Sequence, residues 1–136
     1  GMRYFNTFGG NSVAIAAASA VLETIRDEGL LDNAAKIGSE ILDGLQDLQA
    51  KYEFVGDVRG AGLYFAVELV KDREKKTPDM DRALAAINAL RDQRILISAT
   101  GADAHMLKIR PPLIFTSSNA ARLLEGIDVA LRSVQT

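Results

Sequence analysis

Phe54-Val55-Gly56-Asp57-Val58-Arg59-Gly60-Ala61-Gly62-Leu63-Tyr64-Phe65-Ala66-Val67-Glu68-Leu69 shifts the hydrophobic period of the chain from near four to two. Leu63, Phe65, Val67 and Leu69 alternate with Tyr64, Ala66 and Glu68, which puts the apolar set on one side of an extended strand. Phe54-Val55 and Val58 predict a short strand ahead of it, and Gly60-Ala61-Gly62 permits a bend or bulge between the two. The reading is a strand pair with one face toward a core.

Helical periods flank this pair. Asn11 to Glu28 reads as an Ala-rich helix, apolar almost all round for three turns through Val13, Ile15, Val21, Leu22 and Ile25, and such a helix is expected to be covered on several sides. Gly29 is a stop signal. Leu31 to Lys51 repeats Ala34, Ile37, Ile41, Leu45 and Leu48 at three- and four-residue steps, giving a helix with one wet face. After the strand pair, Lys71 to Lys76 reads as a solvated loop. Thr77-Pro78 then supplies an N-cap and a first-turn proline for a helix to about Gln93, with core positions Met80, Leu84, Ile87 and Leu90. Ile95-Leu96-Ile97 is expected to be a short buried strand, Ala99 to His105 a loop, and Met106 to Ile109 a further strand that Pro111-Pro112 must end. A last helix starts near Ser117 or Ser118 and buries Leu123, Ile127, Leu131 and Val134. The order predicts an α+β fold: a small, largely antiparallel sheet with helices packed on one face, preceded by the apolar N-terminal helix.

Composition narrows the function. A chain of 136 residues with 48% hydrophobic content has room for one domain with a core. Sixteen basic against 18 acidic side chains leave a net charge of -2, without the basic footprint of a nucleic-acid binder. Cysteine is absent and His105 is the single histidine, so thiolate chemistry and a histidine metal cluster are excluded and no metal site is expected. The most apolar run, Val13 to Leu22, is about half of a bilayer span, and no signal-peptide pattern is present, so no membrane partner and a cytoplasmic location are expected. Gly1-Met2 reads as a tag remnant and a start residue, leaving residues 3–136 as the domain.

Thr7-Phe8-Gly9-Gly10-Asn11 stands just before the first helix. A hydroxyl followed by two glycines offers a side-chain donor and a backbone able to turn its N–H groups toward an anion near a helix N-terminus, which is phosphate-holding chemistry. Other features read as structural. Gly60-x-Gly62 lacks the third glycine and the strand-then-helix context of a dinucleotide fingerprint. Arg59 has Asp57 and Glu68 as local partners, Asp79 and Asp81 favour a helix dipole, His105 is a loop histidine, and Ser98, Ser117 and Ser118 lack a triad pattern. Of the six lysines, only Lys108 is even partly sheltered, and none has the desolvated setting that activates an imine-forming amine. No catalytic residue is therefore assigned.

Three ordered motifs carry a resemblance. Asn6-Thr7-Phe8-Gly9-Gly10-Asn11 before an Ala-rich helix, Gly56-Asp57-Val58-Arg59-Gly60-Ala61-Gly62-Leu63 running into Glu68-Leu69-Val70, and Leu107-Lys108-Ile109-Arg110-Pro111-Pro112-Leu113 together resemble the C-terminal domain of class III aminotransferases, which depend on pyridoxal phosphate. The resemblance implies a transaminase small domain in which Thr7, with Asn6 and Phe8 beside it, contacts the cofactor phosphate of a neighbouring subunit. It implies a homodimer, an amine or amino-acid substrate, and a separate large domain holding the Schiff-base lysine, so that this chain alone is inactive. The family pattern Gly-Gly-Asn-Pro has Ser12 in place of proline here. Its Arg-x-x-Pro-Pro, whose arginine forks onto a carboxylate, has Lys108 at the arginine position and Arg110 directly before the prolines. Lys108 and Arg110 are the substrate-binding candidates. Leu-Lys-Ile-Arg-Pro-Pro is similar to the ethanolamine-phosphate phospho-lyase subgroup, which implies as an alternative a phospho-lyase acting on a phosphorylated amino alcohol. A non-catalytic α+β binding or oligomerisation module is the other alternative. The uncovered apolar helix predicts self-association of this chain, checked by sedimentation at high concentration, where a strictly monomeric profile counts against it.

Overall fold

The computed structural model describes residues 3–135; the Gly1-Met2 reading and Thr136 lie outside them. In chain order the elements are α1 (Ser12–Asp27), α2 (Leu30–Lys51), β1 (Val55–Ala61), β2 (Tyr64–Asp72), β3 (Thr77–Pro78), α3 (Met80–Asp92), β4 (Ser98–Thr100), β5 (Met106–Ile109) and α4 (Ser117–Ser133). The expected α+β fold is present. All strand pairs are antiparallel, in the order β1-β2-β5-β4, with β3 added to the end of β2.

The alternation of β2 builds two unlike faces. Phe65, Val67 and Leu69 are buried, as are Leu107 and Ile109 of β5 and Val55 and Val58 of β1. Against this face pack Ile37, Ile41 and Leu45 of α2, Ala83, Ala86 and Leu90 of α3, and Leu123, Ile127 and Leu131 of α4, forming one core. Each of the larger side chains, the alanines aside, contributes about 1.5–3 kcal/mol on leaving water. The other face carries Asp57, Arg59, Glu68 and Lys108 and stays half-open.

Several sequence expectations shift. The strand-pair turn is at Gly62-Leu63, since Ala61 pairs with Tyr64; Gly60 lies inside β1, and the irregularity falls at Gly56 instead. The turn moves because Gly62, at φ 54°, takes the left-handed conformation the hairpin needs. Its carbonyl presses on Gly38 of α2, where any Cβ would collide with it, so the helix and hairpin meet at a point where neither has a side chain.

Lys71 to Lys76 is not wholly a solvated loop. β2 runs on to Asp72, and Arg73 turns inward, where its Nη2 donates to the carbonyls of Gln49 (2.7 Å), Tyr52 (3.1 Å) and Val55 (2.8 Å). Those oxygens end α2 and start β1, so the guanidinium ties the end of the helix, where carbonyls lose their helical donors, to the start of the strand. Thr77-Pro78 forms β3 and Asp79 is the actual N-cap of α3, accepting from the Arg82 N–H at 3.1 Å. This rotates the helix relative to the expected register: Ala83, Ala86 and Leu90 face the core, whereas Met80 and Leu84 are more than half exposed. Small alanines suffice because α3 packs tightly on α4. Ile95 to Ile97 is irregular, Leu96 is exposed, and the strand begins at Ser98. Arg94, at φ 63°, turns the chain sharply after α3 and delays pairing. In α4, Leu123, Ile127 and Leu131 are buried as expected, and Val134 is half-buried.

α1 departs most from expectation. None of its residues is buried, Val13 and Leu22 are 78% and 68% exposed, and its element contacts are to α2 alone among the described residues.

The helical layer is latched by Asp128. Its Oδ1 accepts from Lys51 Nζ (2.6 Å) and the Tyr52 hydroxyl (2.8 Å), and Oδ2 accepts from Arg132 (2.7 Å). The Lys51 ammonium, then Tyr52 and Arg132, hold its carboxyl down at about 2, below the ordinary 3.8. A depressed carboxylate contributes stability that is complete above its unfolded value and is lost as pH falls toward its folded one. Asp128→Asn is expected to cost about 1–2 kcal/mol at neutral pH and to remove the loss of stability that Asp128 causes between about pH 4 and pH 2. Thermal unfolding of both proteins across that range checks it, and parallel pH curves would refute the latch.

Candidate functional site

Two regions answer to the sequence candidates. In the N-terminal segment, Asn6 Oδ1 accepts from the backbone N–H of Gly9 (2.9 Å) and Phe8 (3.2 Å), while its Nδ2 donates to the Tyr4 hydroxyl (2.9 Å). Asn11 caps α1, its Oδ1 accepting from the Ala14 N–H at 2.9 Å. The expectation that this loop's N–H groups aim at an anion is thus corrected for Phe8 and Gly9: Asn6 consumes both. Asn6 is a loop organiser, and a side chain at Gly9 would collide with it. Thr7 is left on the outside of this turn, exposed, its hydroxyl bonded to no other described residue. Phe8 is 91% exposed beside it, and Tyr4 and Phe5 are similarly bare. The turn thus presents an exposed hydroxyl in a segment whose aromatics Tyr4, Phe5 and Phe8 are also uncovered.

The second region is a cleft of about 530 Å³ beside the exposed edge of β4. Lys108 and Arg110 both line it. Lys108 lies on the half-open sheet face opposite Ser98, and Arg110 follows two residues later, where Pro111-Pro112 stop the pairing. The structure therefore brings the two substrate candidates to one cavity. Asn6, Thr7 and Phe8 do not line it. Arg94 and Arg122 do, and neither was singled out by sequence reasoning. Arg94 follows a helix stop and Arg122 is a polar position of α4; only the turn at Arg94 and the packing of α4 bring them to the cleft.

His105 is in the loop before β5, as expected, and it is buried there, its Nε2 lying 3.1 Å from Glu68 Oε1. Glu68 also accepts from Arg59 (3.1 Å), which pairs with Asp57 as well. Burial pushes the Glu68 carboxyl upward, but the hydrogen bonds from His105 and Arg59 outweigh it and hold the group below its usual range. The trio ties β1, β2 and the start of β5 together across the half-open face. Among the described residues no group of histidines and carboxylates is placed to hold a metal ion, and no helix is long and apolar enough to cross a membrane.

With this geometry in place, comparison with known proteins identifies the class. The aminotransferase class-III family matches residues 2–131, and the chain belongs to that family. It is 43% identical over 129 residues to ethanolamine-phosphate phospho-lyase homolog 1 of Caenorhabditis elegans, covering 94% of this chain and 28% of that protein. Identity to the alanine–glyoxylate aminotransferase 2-like protein of Drosophila melanogaster is 39% over 135 residues, covering 98% and 27%. A phospholyase from Arthrobacter, solved in complex with phosphoethanolamine, superposes at TM-score 0.89 with 35% identity, covering 96% of this chain and 31% of that one. The chain thus spans under a third of the length of each of these relatives.

Asn6→Ala is expected to release the Phe8 and Gly9 amides, raising their hydrogen-exchange rates about fivefold for the loss of roughly 1 kcal/mol of local hydrogen bonding. Exchange measured residue by residue checks it; unchanged protection at both amides would remove Asn6 from the loop's support.

Proposed function

We propose that this chain is the C-terminal small domain of a pyridoxal-phosphate-dependent class III enzyme, working in a homodimer beside a larger domain that carries the Schiff-base lysine. The observation that carries the reading is the convergence of Lys108 and Arg110 on one cleft, in a chain of this family. Supporting it, an amine transaminase from an uncultivated Pseudomonas species, solved PLP-bound, superposes at TM-score 0.86 with 30% identity, covering 96% of this chain and 30% of that one. The bare apolar length of α1 supports a covering large domain, since an apolar helix exposed over most of its length is unfavourable in water. A cytoplasmic location is part of the same reading.

Within it, Thr7 donates its hydroxyl to an oxygen of the cofactor phosphate across the subunit boundary, while Asn6 holds the turn that presents it and Phe8 screens the contact from water. Pyridoxal phosphate, when bound, supplies the electron sink that stabilises a carbanion at the amine carbon. Lys108 and Arg110 bind the anionic end of the amine substrate and so orient it toward the larger domain. Family membership supports amino transfer. One residue favours the second reading, elimination of phosphate from a phosphorylated amino alcohol: Lys108 gives a point charge where a planar fork would grip a carboxylate, and the relatives include a phospholyase holding phosphoethanolamine.

Two outcomes test this. The chain alone, supplied with pyridoxal phosphate, is expected to catalyse neither amino transfer nor phosphate release. In the full-length enzyme, Thr7→Val is expected to weaken cofactor affinity about tenfold, the loss of a charge-assisted hydrogen bond, read by titrating apoenzyme absorbance. Assaying the same enzyme for inorganic phosphate against keto-acid-dependent amino transfer separates the two chemistries.

A further inference from the structure

The cleft is more strongly charged than the two candidate residues require. Arg94, Lys108, Arg110 and Arg122 all line it, Ser98 and Asn119 add polar groups, and among the described residues every other lining residue is apolar and no carboxylate lines it. The whole chain has a net charge of -2, so this concentration of one sign is local. None of the four cations forms an ion pair with a described carboxylate, whereas Arg59, Arg82 and Arg132 elsewhere each do.

Three elements assemble the cluster. Lys108 stands opposite Ser98 across the β4–β5 pair. Asn119 and Arg122, three residues apart on α4, share one helix face. Arg94 ends the turn after α3, and the Arg122 Nη2 reaches the carbonyl of Gln93 at 3.4 Å, tying the two arginine-bearing segments to each other. Arg94 holds φ 63°, a left-handed conformation in which glycine is the least strained residue, so the position carries a side chain against backbone preference.

A monocarboxylate is neutralised by one such cation. Four, converging on a partly apolar pocket, match a doubly charged group with three acceptor oxygens. We propose that Arg94 and Arg122 are specificity-determining residues, completing with Lys108 and Arg110 a cleft that takes the phosphoryl end of a phosphate monoester in preference to a carboxylate. This rests on the reading of the cleft as the substrate-anion site and deepens it: Lys108 and Arg110 attract an anion of either kind, and the two arginines add the discrimination.

The test titrates this 136-residue chain at low ionic strength with O-phosphoethanolamine and with acetate, following backbone amide shifts of the cleft residues. The unaltered chain is expected to bind the phosphate monoester saturably and more tightly than acetate. Arg94→Gln and Arg122→Gln are each expected to weaken the monoester about fivefold while changing acetate by less than about twofold. Arg94→Gly, which relieves the left-handed backbone, is expected to raise the unfolding temperature yet lose monoester binding to the same extent, separating recognition from stability. Equal losses for both anions, no loss for either, or no saturable monoester binding overturns the proposal. The outcome is independent of the chemistry assay on the full-length enzyme: phosphate release insensitive to both arginines refutes this inference alone, and amino transfer without phosphate release refutes the lyase reading alone.

Discussion

Everything in this domain depends on the two-sided strand β2. It pairs with β1 along one edge and with β5 and β3 along the other, so its alternation is imposed on the whole sheet. Phe65, Val67 and Leu69 commit one face to three helices, and the opposite face is left polar because slipping the register by one residue would bury Glu68 and expose Phe65. The half-open face is therefore a by-product of core formation, and it is where Lys108 comes to stand.

That arrangement explains why the charged side chains divide into two kinds. Arg73, Arg82 and Asp128 spend their hydrogen bonds on the frame: Arg73 on three carbonyls where α2 meets β1, Arg82 on Asp79 and the Val134 carbonyl, Asp128 on the junction of α2 and α4. Arg82 also lies over the Phe54 ring at 4.3 Å. The cations of the cleft have no such anionic partners among the described residues, and a cluster of like charges without counter-ions is unfavourable until an anion enters. The cations that pair with no described carboxylate at the cleft are thus segregated to one rim of the sheet, away from the groups that hold it together.

The N-terminal segment and α1 follow a different logic. The turn from Asn6 to Asn11 is built by its own side chains and needs nothing from the core, yet it presents Thr7 and several aromatics to solvent. α1 is well formed and capped, but among the described elements it touches α2 alone. Local interactions suffice to shape these parts and do not suffice to cover them, which is why the family relation and the proposed larger domain bear on them more than on the sheet.

The amino-acid sequence alone determined the element types, the α+β layering, the core stripe of α2 and the core face of β2, because hydrophobic period encodes which side of an element leaves water. It also marked Lys108 and Arg110 two residues apart at the end of a strand; Arg110 lies just past β5, and the structure brings both to one cleft. It misjudged Met80 and Leu84, since the true cap at Asp79 and the tight α3–α4 contact select alanines for the core, and it misplaced the strand at Ile95 to Ile97, since the turn at Arg94 is set by packing rather than by period. Only tertiary structure decided that His105 is buried against Glu68, that Arg73 caps a helix 20 or so residues away, and that Arg94 and Arg122 join the strand cations around one cleft. Those are meetings of side chains far apart in the chain, and no local pattern carries the distance between elements that folding alone closes.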